Sequence, residues 1–439
     1  MRRTLVISAC LGAVLAAAGC GGDVDGSAST PSGSAPASAP TSSAVPAAKT
    51  ADPPVAFDKT APVKLPAGAL RANVAGSVTS VFMTLRDRTG YIVTPTALNV
   101  VDVLTGEQKW TVPFERQPGD PYNQSGPFVN TTGPRPPAVG DKLVVAAVPA
   151  LVPEKGTTPA YIALSVVAAD VDKGTKVWSS ETKVSENQYA DASNAVTKVV
   201  AITDKAVIAG YGRSSDEHVT VALDPASGKT LWERKDYDAG SVYGDVVVGA
   251  DYNVAENSSM VQATALDLLT GQQKWVGAAQ SASVEVTPAD PALVVLTRTD
   301  YNSGHAFLVF LDPATGAEKG KVEGEKGFGM SSYGNCYYDE QSVVVCNASG
   351  VLTAYDAKTA AKLWTLPDQA ANRVAPGITL AWHGAVYGET SGRQPIVLDA
   401  KTGQDRETDD VGIFPALVSK YVGIDAGEDG APLAYPIKK

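Results

Sequence analysis

Apolar and polar residues alternate over strand-length stretches along most of this chain, and no long stretch has the spacing of an amphipathic helix. Seven of these stretches end in an Asp. A Gly usually follows four residues after the Asp, and a Trp usually follows eight residues after it. The pattern predicts an all-β protein built from repeated hairpins.

The seven copies occur at a regular interval. From Asp170 onward the Asp residues are spaced by 54, 43, 45, 44 and 43 residues, about the length that four short strands and their turns occupy in one propeller blade. The first interval, from Asp102 to Asp170, is 68 residues and must contain an insertion, for which we predict a long loop from Phe114 to Pro159. The copies consist of Asp102, Gly106 and Trp110; Asp170, Gly174 and Trp178; Asp224, Gly228 and Trp232; Asp267, Gly271 and Trp275; Asp312 and Gly316; Asp356 and Trp364; and Asp399 and Gly403. The pattern lapses at Gly320, Ala360 and Glu407.

Each copy predicts a tight hairpin. The carboxylate of Asp224 can accept hydrogen bonds from turn amides, and Gly228 can adopt the positive φ that returns the chain into the next strand. Trp232 then lies on the outgoing strand, where its ring can pack on a neighbouring blade and its indole N–H can reach a backbone carbonyl. We interpret these residues as structural.

The repeat resembles that of the pyrroloquinoline-quinone-type propellers, whose signature is Ala-Leu-Asp-x-x-Thr-Gly-x-x-x-Trp. The clearest copies run from Ala222 to Trp232 and from Ala265 to Trp275, and the resemblance covers roughly residues 70–437. It implies a propeller of four-stranded antiparallel blades. The repeat is shared by quinoprotein dehydrogenases and by the lipoprotein scaffold of outer-membrane barrel assembly, so it implies no single function.

The number of blades depends on the two ends of the globular region. Three strand-like stretches follow Asp399, at 414–418, 421–424 and 432–437, and residues 55–74 precede the first blade. We predict eight blades, with the last built from N- and C-terminal strands, since pairing the two ends would remove exposed strand edges. Seven blades with loose tails is the alternative.

The N-terminus predicts export. Arg2 and Arg3 precede an apolar stretch from Leu5 to Ala18, which is too short for a membrane span and is typical of a signal peptide over residues 1–20. Ala17-Ala18-Gly19-Cys20 resembles a bacterial lipobox, with Ala17 where Leu is commonest, and this resemblance implies a lipid on Cys20. An ordinary signal with an incidental Cys is the alternative. The general and the twin-arginine export routes both stay open.

Composition divides the rest of the chain into a tether and a globule. Residues 21–54 are mainly Ser, Ala, Pro, Gly and Thr, and such a segment cannot bury enough surface to offset its ordering entropy. We therefore predict a disordered tether at 21–54 and a propeller at 55–439. Because such tethers are common in actinobacterial lipoproteins, we expect the protein on the extracytoplasmic face of an actinobacterial cell membrane.

Charge and cysteine content indicate which partners and which cellular compartment to expect. The net charge is −11 and no Lys/Arg cluster occurs apart from Lys438 and Lys439, so we predict no nucleic-acid partner. Cys336 and Cys346 are the two Cys of the globule and flank two strand-like runs around a turn near Gln341. A hairpin with that centre sets them opposite each other, and export favours oxidation, so we predict a disulfide.

No motif in the sequence indicates catalysis. His218, His305 and His383 fall in different blades without metal-ligand spacing, and no Gly-x-Ser-x-Gly elbow occurs. The adjacent Cys pair frequent in quinoprotein dehydrogenases is also missing. We therefore predict no catalytic residue, no metal site and no bound quinone or Ca²⁺.

The sequence favours a monomeric, lipid-anchored binding or scaffold protein for envelope or secreted proteins. Loops on a rigid frame commonly carry such contacts, and the predicted long loops run from Phe114 to Pro159 and from Asp251 to Met260. A quinone-dependent dehydrogenase is one alternative. A sensor that binds a small ligand or sugar in the central channel is the other, and aromatic residues at one end of the channel would favour it.

Overall fold

The computed structural model describes residues 48–72, 77–94, 96–115, 133–185, 195–213, 217–253, 260–324, 326–327, 330–331 and 334–438. Every regular element in these ranges is a β-strand, so the predicted all-β class is confirmed. The same ranges contain no helix that could span a membrane. Cys20 and the rest of the predicted signal peptide lie outside them, as do residues 21–47 of the predicted tether.

The described strands form eight sheets of four or five strands and two small sheets of two strands. The first three larger sheets along the chain contain β4 (Met83–Arg86), β5 (Thr89–Val93), β6 (Ala97–Asp102) and β7 (Gln108–Pro113); β9 (Ala138–Val139), β10 (Leu143–Val152), β11 (Tyr161–Asp170) and β12 (Lys176–Ser185); and β8 (Gly133–Pro134), β13 (Ala195–Ile202), β14 (Val207–Arg213), β15 (Glu217–Leu223) and β16 (Thr230–Lys235). The next two contain β17 (Tyr237–Tyr243), β18 (Val246–Asp251), β19 (Gln262–Asp267) and β20 (Gln273–Val276); and β21 (Ser281–Thr287), β22 (Val294–Asp300), β23 (Ala306–Leu311) and β24 (Glu318–Glu323).

The last three larger sheets and the two small ones complete the described part of the chain. The larger sheets contain β27 (Cys336–Tyr338), β28 (Val343–Ala348), β29 (Val351–Asp356) and β30 (Lys362–Leu366); β31 (Gly377–Trp382), β32 (Ala385–Glu389), β33 (Pro395–Asp399) and β34 (Asp405–Glu407); and β35 (Leu417–Val418), β36 (Val422–Ala426), β37 (Pro432–Pro436) and β1 (Val63–Lys64). The small sheets pair β2 (Leu70–Ala72) with β3 (Val78–Val81), and β25 (Lys326–Gly327) with β26 (Met330–Ser331).

One of the larger sheets is built from both ends of the globule. Val63 of β1 pairs with Ala434 of β37, and Lys64 pairs with Leu433. The predicted three strands after Asp399 are β35, β36 and β37, and the predicted N-terminal donor strand is β1. A sheet made by both termini, as predicted, is therefore present.

Central strands such as β10 have apolar residues buried on both faces because another sheet packs on each side. On β10, Val144, Ala146 and Val148 belong to one buried cluster, whereas Val145 and Ala147 belong to the next. Eight buried clusters are found among the described residues, and each joins two sheets that are consecutive along the chain or involve the sheet of β1. The core is therefore divided into layers between sheets.

The interval between the first two motifs differs from the prediction of one long loop from Phe114 to Pro159. Residues 143–152 form the ten-residue strand β10, and residues 133–134 form β8, which pairs in parallel with β13. β10 is a continuous apolar run that is buried at most positions, and such a run is typical of a strand covered on both faces. Residues 116–132, with the predicted contact patch at 121–128, lie outside the described residues, as do 254–259 of the other predicted loop.

The boundary of the predicted tether lies earlier than residue 54. The compact unit begins at Ala48, and the segment from there to Asp58, which we name the N-terminal strap, packs against the last two sheets. The backbone N–H of Ala51 donates to the carbonyl of Lys420, and the hydroxyl of Tyr387 donates to the carbonyl of Pro54. These contacts explain why this part of a Pro- and Ala-rich segment is ordered.

Candidate functional site

The seven Asp residues of the repeat each organise the turn between the third and fourth strand of a sheet. At Asp224, Oδ1 accepts hydrogen bonds from the N–H of Ser227 at 2.8 Å and from its hydroxyl at 2.6 Å. The Ser227 hydroxyl and amide hold the pKa of Asp224 below its usual value. Gly228 has φ +69° and donates to the Asp224 carbonyl. The Asp224 carboxylate is therefore occupied by its own turn.

The Trp residues of the repeat connect each sheet to the next. Trp232 on β16 donates its indole N–H to the carbonyl of Leu268 at 2.9 Å, and Leu268 lies in the turn of the following sheet. Trp178, Trp275 and Trp364 make the same bond to the residue directly after the next motif Asp, namely to Pro225, Pro313 and Ala400. Each of these four rings therefore links its own sheet to the turn of the next.

The interface between the sheets of β24 and β27 lacks this connection. Gly320 occupies the Trp position of β24, and Ala360 occupies the Gly position of the next motif with φ +59°. The rings of Phe310 and Tyr355 pack in this interface, with centroids 5.1 Å apart. Two of the three lapses in the repeat therefore lie on the two sides of a single interface.

The predicted disulfide is present in the sheet that follows this interface. Cys336 of β27 and Cys346 of β28 pair directly in the ladder and are bonded to each other. The turn between the two strands is held by Asp339, which is fully buried and accepts hydrogen bonds from the N–H groups of Gln341, Ser342 and Val343. The bond fixes one hairpin and lies away from any group that could use it in redox chemistry among the described residues.

A cavity of about 860 Å³ lies at the ends of the sheets opposite the Asp turns, and we name it the central cavity. Tyr337, Phe414 and Tyr435 contribute aromatic rings to its wall. Asp425, close to the end of β36, contributes a half-buried carboxylate. The volume and the mixed lining are typical of a site for a small molecule.

Asp425 is the most perturbed acid of the central cavity. Its carboxylate accepts hydrogen bonds from the N–H groups of Phe414 at 3.1 Å and of Ala426 at 2.7 Å. Burial raises the pKa of Asp425 to about 6, against the smaller opposing effect of these two bonds. Sequence reasoning missed this residue because Asp425 lies outside the repeat, and its strand carries no motif.

A second cavity of about 410 Å³ lies between the sheets that contain β13, β17 and β21. His218 borders it and stacks on Tyr252 with ring centroids 4.0 Å apart, while Lys198 and Asp238 form an ion pair of 2.8 Å on its wall. His305 contacts Glu323 and His383 contacts Asp52, both far along the chain from His218. As predicted, the three His lie in different sheets.

The described residues offer no ligand set for the Ca²⁺ ion of quinoprotein dehydrogenases. No group of three or more His, Cys, Asp or Glu side chains within the described ranges is placed to hold a metal ion. The motif carboxylates are engaged in their turns, and Asp425 is engaged by two amides. We therefore derive no step through the quinone or the ion.

These features define the molecule as a β-propeller protein of repeated four-stranded sheets. A family model described as outer membrane protein assembly factor BamB matches residues 163–408, and the chain belongs to this family. No curated protein sequence matches the chain.

Two of the similar solved structures share the fold with TM-scores of 0.50 or more, and a BamB structure is less similar. The computationally designed Ika8 protein is 15% identical, with a TM-score of 0.50, over 85% of this chain and 99% of its own. The quinohemoprotein alcohol dehydrogenase from Comamonas testosteroni is 13% identical, with a TM-score of 0.51, over 88% of this chain and 76% of its own. BamB from Moraxella catarrhalis is 13% identical, with a TM-score of 0.41, over 85% of this chain and 95% of its own. At these identities the likeness concerns the fold alone.

Proposed function

We propose that this protein is a lipid-anchored, extracytoplasmic scaffold that binds an envelope or secreted protein through the ends of its sheets opposite the Asp turns. The observation that carries the proposal is the difference between the two ends. The motif turns are short and satisfy their own polar groups, whereas the other end holds the central cavity and the connections of irregular length. Irregular connections on a rigid frame are where binding residues concentrate.

The proposal includes a closed ring of eight blades, with the sheet of β1 as the last blade. Support comes from the buried clusters that join this sheet to its two neighbours, one through Phe57 and Tyr387, the other through Val101 and Ile424. A Cβ added at Gly106 of the first motif would lie 3.0 Å from the carbonyl of Lys64, so β1 occupies the place that the Trp strand takes at other interfaces. Closure removes the exposed strand edges that favour aggregation.

The N-terminal strap lies at the end of the sheets that also carries the Asp turns. It contacts the turn residues Lys420 and His383, and both turns lie at the same ends of their sheets as the Asp turns. The strap therefore packs at the end opposite the central cavity, which supports the assignment of the cavity end to partner binding.

The partner-binding end is tested by site-specific photocrosslinking in the intact host cell. Leu151 is 44% exposed near the end of β10 that lies opposite the Asp170 turn, whereas Leu269 is 47% exposed in an Asp turn. A photoreactive residue at position 151 should capture an envelope or secreted protein, and the same residue at position 269 should not. Equal capture at both positions, or capture at position 269 alone, would contradict the proposed face.

The lipid anchor is tested with the Cys20→Ser variant. We expect the wild-type protein in the membrane fraction with an incorporated fatty-acid label, and the variant in the medium without label. Retention of the unlabelled variant in the membrane to the same extent would show that another attachment holds the protein.

A second candidate function is the binding of a small molecule in the central cavity. Three aromatic side chains, Tyr337, Phe414 and Tyr435, line the cavity, which is the feature that the sequence analysis expected of a ligand sensor. Quinone-dependent oxidation has less support because the described residues provide no ligand set for its metal ion. Addition of pyrroloquinoline quinone and Ca²⁺ in a dye-linked alcohol oxidation assay tests that reaction directly, and we expect no turnover.

A further inference from the structure

The central cavity contains a carboxylate whose charge no described basic residue neutralises. Among the described residues, the backbone N–H groups of Phe414 and Ala426 are the only donors of hydrogen bonds to Asp425. Among the described residues, no Lys, Arg or His lies within ion-pair distance of it. Burial of a charge without a counter-charge costs free energy, and the raised pKa of Asp425 reflects that cost.

The other charges of the cavity differ from Asp425 because they lie in solvent. Arg393, with a side chain 61% exposed, lies 3.9 Å from Glu389, and Lys59, Arg135 and Glu428 are exposed as well. Exposed charges interact weakly through water, whereas a charge placed against a desolvated partner interacts more strongly. The lining contains three acidic and three basic residues, so their charges balance in number. The carboxylate of Asp425 nevertheless has no counter-charge among the described residues, and a bound cation would stabilise its charged form.

Aromatic rings accompany this carboxylate. Tyr435 is 8% exposed and lines the cavity with Asp425, whose negative charge adds to burial in raising the pKa of the Tyr435 hydroxyl. Phe414 borders the same space and donates its backbone N–H to Asp425. A carboxylate and aromatic side chains that line one cavity are the combination that proteins use to bind organic ammonium groups, through ion pairing and cation–π attraction.

We propose that the central cavity binds a small organic ammonium compound, with its ammonium group on Asp425 and its carbon skeleton against Phe414 and Tyr435. This inference rests on the second candidate function, the binding of a small molecule in the cavity. The proposal also distinguishes ammonium binding from quinone binding, because the Asp425 carboxylate would repel an anionic quinone in the same cavity.

The test follows the Asp425 carboxyl group itself by carbon NMR, in protein labelled at the Asp side-chain carboxyl. The probe is n-butylammonium chloride, a small compound that any such site must admit, and n-butanol in sodium chloride of equal concentration is the matched control. Asp425→Asn identifies the signal by its loss. We expect butylammonium to lower the pKa of Asp425, because a bound cation favours the charged form, and butanol to leave the pKa unchanged.

Binding measured by calorimetry provides the second readout. We expect Asp425→Asn to weaken butylammonium binding by at least about tenfold, while the exposed-site control Glu428→Gln stays within about twofold of wild type. An unchanged pKa of Asp425 in butylammonium, or equal binding by wild type and Asp425→Asn, would overturn the proposal. Either result leaves the photocrosslinking test of the scaffold role unaffected, so the two failures are distinguishable.

Discussion

The ring of Trp232 lies on the backbone of Gly271 in the following sheet. A Cβ added at Gly271 would come within 2.8 Å of the ring, a distance that real Cβ atoms do not show. The same relationship holds between Trp178 and Gly228, and between Trp364 and Gly403. At these three motifs the Gly is therefore required twice, for its positive φ and for the space that the preceding Trp occupies.

Replacement of this ring should weaken the interface strongly. Trp232→Ala removes a side chain that is 8% exposed and deletes its hydrogen bond to Leu268, so we expect a loss of about 3–5 kcal/mol in the free energy of unfolding. Leu231→Ala is the matched control, since Leu231 is the neighbouring residue on the same strand and is 41% exposed. Urea unfolding measures both, and a loss below about 1 kcal/mol for Trp232→Ala would contradict the structural role.

The two requirements at Gly271, a positive φ and space for the Trp232 ring, can be measured separately by comparison with a second glycine of similar φ. Gly271 has φ +66° and Gly244 has φ +58°, but no atom lies within 4 Å of a Cβ built at Gly244. We expect Gly244→Ala to cost about 1–2 kcal/mol for the backbone alone, and Gly271→Ala to cost at least about 1 kcal/mol more, because its Cβ meets Trp232. Equal costs in urea unfolding would show that the ring moves aside freely.

At the interface between Gly320 and Ala360, the same reasoning predicts a gain in the free energy of unfolding. Ala360 has φ +59° and no Trp ring above it, since Gly320 takes the Trp position. Ala360→Gly should relieve the backbone and stabilise the protein by about 0.5–1 kcal/mol. Ala226→Gly, in an exposed turn position with ordinary φ, should lose stability by a similar amount.

A double-mutant cycle then tests whether the two lapses depend on each other. Gly320→Trp alone places a ring against the Cβ of Ala360, so we expect it to be less destabilising when Ala360→Gly is also present. Additive effects in urea unfolding would show that the two positions do not meet across this interface.

The disulfide should contribute locally. Cys336 and Cys346 close a loop with a sequence separation of 10, and a loop of this length is expected to stabilise by about 2–3 kcal/mol. The double variant Cys336→Ala/Cys346→Ala should lose this amount in urea unfolding. Reductant should lower the stability of the wild type toward that of the variant and leave the variant unchanged.

The Asp425 carboxyl should make stability depend on pH in a defined window. Its pKa in the folded protein is raised to about 6 from an ordinary value of 3.8, so the folded state binds more protons and the free energy of unfolding falls as pH rises between these values. The Asp425→Asn variant has no carboxyl group at this position and therefore lacks this pH-dependent contribution. We therefore expect the stability of the variant relative to wild type to rise by about 2 kcal/mol from pH 4 to pH 7 and then to level off. A flat difference in urea unfolding would contradict the raised pKa.

The repeat made most of the fold predictable from the sequence, whereas the candidate site could not be predicted in this way. Asp224, Gly228 and Trp232 act through their own turn and the adjacent sheet, and such local chemistry is visible in the spacing of residues. Sequence alone also indicated the strands that join the two ends. Asp425 could not be found in this way, because its burial and its raised pKa depend on Phe414 and on the cavity, which form only when the sheets pack together. The facing positions of Gly320 and Ala360 could not be predicted either, because the two residues belong to different copies of the repeat.

The pairing of β1 with β37 has a consequence for how the chain tolerates shortening. In many proteins the last few residues can be deleted at little cost, because they pair with nothing. Here Ala434 and Leu433 hold the first strand, and the carbonyl of Pro436 accepts a hydrogen bond from the N–H of Asp58. Truncation of the chain before Leu433 would therefore release both end strands at once, and the N-terminal strap would lose part of its hold on the globule.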